Sequence, residues 1–102
     1  MKQKIQQLII DAINEINETL DTPLQSELGS KCSIYEQSTG LDSMSLVSLI
    51  VNIEQRLEDE YGVGVILANE KSMSQRNSPF RNVEALTAHA QQLLEEEEAL
   101  NV

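Results

Sequence analysis

The sequence predicts an all-α protein, a small bundle of three main helices and a short fourth. Three segments carry apolar residues at helical spacing, the breaks between them hold turn and capping residues, and no two segments alternate like paired strands. The 102 residues suit one domain with a small core. That core must be aliphatic, because aromatics are only 3% of the chain.

The first segment places Ile5, Leu8, Ile9, Ala12, Ile13, Ile16 and Leu20 on one stripe among Gln, Asn, Asp and Glu. The pattern predicts a helix over 2–20. Pro23 stops it by disfavouring α geometry at the residue before it. Residues 24–41 have no clear period and read as a long surface loop, with Leu24, Leu28 and Ile34 pinning it to the core. The loop carries the chain back so that the next helix packs on the first.

The second helix starts at Ser43, with Asp42 as N-cap and Gly62 as the residue beyond its C-terminus. Leu46, Leu49, Ile50, Ile53 and Leu57 form its core stripe, and Tyr61 extends it. Met44, Val47 and Val51 form a second stripe. One helix of a small bundle rarely buries two stripes, so the second is expected to be partly exposed and to suit docking. The alternative is a central helix with both stripes in the core.

Residues 63–67, VGVIL, resemble a strand but have no partner. They read as an extended connector that packs Val65 and Ile66 inward. A polar stretch follows to residue 82, with room for the short helix and with Phe80 as a core residue. Asn82 can cap a last helix whose stripe is Val83, Leu86, Ala90, Leu93 and Leu94. The domain core is then 2–94, and the acidic tail 95–102 is expected to be solvated and frayed, since EEEE opposes the helix dipole there.

The net charge of −10 repels nucleic acid and favours partners with basic patches, although a solvated acidic surface needs no partner. No apolar run approaches the roughly 18 residues that span a bilayer, so no stable membrane insertion is expected. The first residues lack the apolar block of a signal peptide, and a cytoplasmic location follows by default. A lone cysteine, Cys32, makes neither an internal disulfide nor a cysteine metal cluster. No metal site is expected, because the carboxylates lack EF-hand spacing.

Ser43 is the residue that needs explaining. A nucleophilic serine needs a base, and the one histidine, His89, reads as a surface residue of the last helix. GLDSMS also lacks the G-x-S-x-G elbow. The chain is therefore not expected to be an enzyme. A serine in the first turn of a helix is expected to be exposed near unpaired N–H groups, which favour an anion such as a phosphate. Physics alone leaves open whether Ser43 is an attachment point or an ordinary first-turn residue.

The stretch GLDSMSLVSLI at 40–50, followed by an acidic helix and YGVGVI at 61–66, resembles the acyl carrier protein family. The resemblance runs from the first amphipathic helix to the last and is strongest around Ser43. It implies a four-helix bundle of acyl-carrier type with the long loop between the first two main helices. It implies 4′-phosphopantetheine, taken from coenzyme A, on Ser43, with Asp42 as the acidic residue before the attachment serine. The arm's thiol would hold an acyl group as a thioester. Met44, Val47 and Val51 match the apolar face shown to partner enzymes, and Glu54 a recurring acidic contact. The implied partners are a phosphopantetheinyl transferase and acyl-loading, condensing and acyl-transfer enzymes. A monomer is expected by default, since nothing in the sequence suggests an obligate interface.

The chain departs from the common fatty-acid carriers. Ser45, Ser48, Gln55 and Arg56 stand where acidic residues are usual, which weakens steering toward basic partners. The stretch 68–82 is longer than usual. Both departures point to a specialised fatty-acid, polyketide or related pathway. The alternatives are an aminoacyl, D-alanyl or peptidyl carrier using the same serine, and an unmodified carrier-like scaffold.

Overall fold

The computed structural model describes residues 2–20, 23–35, 41–62, 64–67 and 79–100, with 43 and 97–100 described by backbone alone. Helix α1 spans Lys2–Asn17 and buries Ile5, Ile9, Ala12 and Ile13, the inner line of the stripe read from sequence. Each fully buried isoleucine contributes roughly 1.5–3 kcal/mol from apolar burial. Leu8, Ile16 and Leu20 pack against the core from its margin.

α1 ends three residues before the expected Leu20. The reason is a side chain rather than the proline. Asn17 donates from Nδ2 to the carbonyl of Leu24 at 2.9 Å, and its Oδ1 accepts the Leu24 N–H at 2.8 Å. This amide clamp turns the chain at residue 17 and delivers Leu24, 5% exposed, to the core.

The expected long loop is partly helical over its described residues. Ser26–Lys31 forms a 3-10 helix broken at Gly29, whose φ of 61° and ψ of −126° suit glycine. Leu28 was expected to pin this stretch and does not: it lies on the helix's outer side, half exposed. Ile34 does reach the core, and so does Cys32, whose thiol is pushed up in pKa by burial and by nearby Glu27. The segment is tied to the approach of the last helix by one antiparallel bridge, Ser33 to Asn82. Val83 donates to the Cys32 carbonyl at 2.9 Å, and Ile34 to that of Arg81 at 2.9 Å.

Helix α2, Ser43–Tyr61, has the expected bounds. Gly62 ends it at φ 72°, with its N–H on the Glu58 carbonyl at 2.8 Å. Its core stripe is buried throughout from Leu46 to Leu57, and Tyr61 is half-buried. Arg56 of α2 binds Glu15 of α1, and Lys4 of α1 pairs with Glu60 of α2.

Helix α3, Val83–Leu100, starts at the expected cap, with Asn82 Oδ1 accepting from Ala85 N at 2.7 Å. Its helical backbone runs through the four glutamates to Leu100. Gln91 and Gln92 donate to Glu95 and Glu96, one turn on, and bind those carboxylates to the helix. α1 packs against both α2 and α3 and forms the centre of the bundle. Val83, Leu86, Ala90, Leu94 and Phe80 complete the core. The described fold is all-α, with three α-helices and one 3-10 helix among the described residues. The short helix expected between 68 and 82 falls largely on 68–78, outside the described residues. Among the described residues, no helix is long and apolar enough to cross a membrane.

The connector 64–67 corrects one expectation. Val65 and Leu67 are buried and Ile66 is 73% exposed. An extended chain alternates its side chains, so Val65 and Ile66 cannot both face inward, and Leu67 takes the place expected of Ile66.

Candidate functional site

The start of α2 is built by three residues in sequence. Leu41 is buried at the position before the cap, and Leu46 is buried at the fourth helical position. These are the two places of a hydrophobic staple, and they fix the angle at which the chain enters the helix. Between them Asp42 adopts an extended conformation, φ −83° and ψ 169°, and caps the helix. Its Oδ1 accepts the Ser45 N–H at 2.7 Å, and its carbonyl accepts the Leu46 N–H at 3.0 Å. The hydrogen bond from the Ser45 backbone, joined by one with the Ser45 side chain, holds the Asp42 carboxyl below its ordinary pKa.

Ser43 is the first residue of this helix. Its side chain, and with it the expected exposure of the hydroxyl, lies outside what the structure describes. With Ser45 and Leu46 bonded to Asp42, helix geometry leaves the N–H groups of Ser43 and Met44 without a carbonyl in the helix. That donor pair, at the positive end of a 19-residue helix, fits a phosphodiester on Ser43.

Beyond Ser43 the outer face of α2 is apolar. Met44 is 80% exposed, Val47 53% and Val51 45%, so the second stripe is a surface and not core. Ser48 and Gln55 are exposed beside it. An open groove of about 450 Å³ runs along the α1 side, past Ser48, Val51 and Asn52 to Arg56. Arg56 is no free cation on this face: its guanidinium bonds Asn52 Oδ1 at 2.6 Å and the Glu15 carboxylate.

Glu54, the remaining residue of the expected docking set, lies on the same helical face but is turned to an internal task. Its Oε2 accepts the N–H of Leu67 at 2.7 Å. His89 is likewise not the surface residue expected. It is half-buried, its Nε2 lies 2.9 Å from the Leu67 carbonyl, and its ring meets Phe80 edge-on at 6.2 Å. A carbonyl only accepts, so Nε2 carries the hydrogen. The sequence signal for this arrangement was the V-I-L alternation at 65–67, which sends Leu67 inward between the two polar side chains. Among the described residues, no group of three or more His, Cys, Asp or Glu is placed to hold a metal ion.

Comparison of the chain with protein-family models, with curated proteins and with solved structures finds no match.

Proposed function

We propose that the protein is a carrier of acyl-carrier type, with 4′-phosphopantetheine on Ser43. The observation that carries this reading is a juxtaposition. Ser43 opens a helix that is capped by Asp42 and anchored by Leu41 and Leu46, and it stands at one end of the exposed stripe Met44, Val47 and Val51. The core does not need that stripe on the surface. A partner enzyme that must find Ser43 does.

Each group has a part. Asp42 holds the first turn and the Ser45 amide, so Ser43 is presented at a fixed place. The Ser43 and Met44 amides would be the donors to a phosphodiester on Ser43, whose charge the helix dipole would favour. When bound, the arm supplies a thiol that holds cargo as a thioester, reaching partner active sites at high effective concentration. Met44, Val47 and Val51 meet the phosphopantetheinyl transferase and the acyl-loading, condensing and acyl-transfer enzymes. The acyl-carrier-type bundle, with the stretch between α1 and α2 as its long loop, belongs to the same reading. So does a specialised pathway, since Ser45, Ser48 and Gln55 place uncharged side chains beside the stripe and Arg56 is tied to Glu15.

The test uses the burial of Cys32, the one cysteine, which is 0% exposed. The unmodified native protein should react slowly with an aromatic disulfide reagent. Incubation with coenzyme A and a broad-specificity transferase should add one fast-reacting thiol, and Ser43→Ala should add none. A fast thiol gained by Ser43→Ala would move the attachment elsewhere. No gain with an active transferase would support the unmodified scaffold.

A further inference from the structure

The groove of about 450 Å³ between α1 and α2 has two kinds of polar wall. One part is closed on itself. Arg56 donates to Asn52 and to Glu15, and Asn52 donates to Glu15 in turn. This triad ties α1 to α2 and neutralises the guanidinium. The other part is open. Ser48, Gln55 and Asp59 line the groove, are exposed, and make no hydrogen bond or ion pair among the described residues. Gln55 stands two turns after Ser48, and Asp59 one turn after Gln55, so the three form one row about 16 Å long. Val51 also lines the groove and is 45% exposed, so the row is continuous with the apolar stripe. With Arg56 tied to Glu15, the charge left open at the far end of the groove is the Asp59 carboxylate.

What fits this row brings an apolar contact for Val51, hydrogen-bonding groups for Ser48 and Gln55, and a cation for Asp59. Ser43 and Asp59 lie about 24 Å apart along the axis of α2, at about 1.5 Å per residue. An interface of ordinary size covers about 800 Å² per partner, a patch about 30 Å across, so one protein seated on the stripe reaches both ends. We propose that the groove is a second contact of the phosphopantetheinyl transferase, which seats a lysine or arginine against Asp59 while Ser43 lies in its active site. This deepens the carrier reading and rests on it.

Initial rates of Ser43 modification by a broad-specificity transferase and coenzyme A, measured on the full chain, test it. Asp59→Lys is compared with Glu84→Lys, the same change of charge on exposed Glu84 of α3. Asp59 is exposed in the last turn of α2, where a lysine suits the helix dipole, so the variant should fold. Asp59→Lys should lower kcat/KM about tenfold below Glu84→Lys, with the loss in KM and kcat nearly unchanged, because a docking contact serves ground and transition states alike. Added salt should narrow the gap, since both charges are at the surface. Gln55→Ala, which alters no charge, should lower kcat/KM about threefold. Equal kcat/KM for Asp59→Lys and Glu84→Lys would overturn the proposal and leave the carrier reading standing. A loss confined to kcat would overturn it too. A wild-type dimer in sedimentation that Asp59→Lys dissociates would give the groove to a second copy of the chain instead. No modification of folded wild type, by a transferase active on a control carrier, would take down the carrier reading and this contact with it.

Discussion

Adjacent residues Leu46 and Val47 give the sharpest test of which face of α2 is core. Leu46 is 1% exposed and Val47 53%. Leu46→Ala deletes three carbons from the core, about 2.4 kcal/mol of transfer free energy at about 0.8 per carbon. The cavity left behind adds to this, for a total of about 3 kcal/mol within the roughly 2–5 range of such substitutions. With a urea slope of about 1.5 kcal/mol per M, the midpoint should fall by about 2 M. Val47→Ala loses part of an exposed side chain and gains helix propensity, so its effect should stay within about 0.5 kcal/mol. Urea titrations followed by far-ultraviolet circular dichroism measure both. A loss under about 1 kcal/mol for Leu46→Ala, or a larger loss for Val47→Ala, would refute the assignment of the stripes.

Asn17→Ala should cost about 2 kcal/mol, because it leaves the N–H and carbonyl of Leu24 half-buried without their amide partner; a urea midpoint equal to wild type would mean that α1 is stopped by something else. Asp42→Asn keeps a capping acceptor but removes the titrating charge. The folded carboxyl is held below its ordinary value of 3.8, so its stabilisation is present above that pH and is lost as pH falls through the folded value. Wild type should therefore exceed Asp42→Asn in urea midpoint at neutral pH, with the gap closing in acid; a gap that widens in acid would contradict the cap geometry.

What the sequence made legible was whatever depended on neighbours in the chain. α2 was readable at both ends, because Asp42 caps the third amide after it and Gly62 supplies a left-handed residue. Asn82 marked the start of α3 for the same local reason. The misreadings share a different cause, which is contact across the fold. α1 ends at Asn17 because that side chain grips Leu24, seven residues on, and spacing alone carries no sign of it. His89 looked like a surface residue because it stands off the leucine stripe, yet the carbonyl of Leu67 comes to meet it. The contact of Glu54 with the N–H of the same residue, Leu67, is equally unmarked in the sequence. The exposed stripe at Met44, Val47 and Val51 was legible from the count of apolar residues on one helix, more than a small bundle can bury. Attachment at Ser43, by contrast, came from resemblance, because a first-turn serine has the same backbone setting whether or not it carries a group.

The measurement that bears most directly on the central claim is the intact mass of the protein after incubation with coenzyme A and a broad-specificity phosphopantetheinyl transferase. The account predicts a gain of one phosphopantetheine, absent in a folded Ser43→Ala protein. An unchanged mass, with wild type folded and the transferase active on a control carrier, would contradict it.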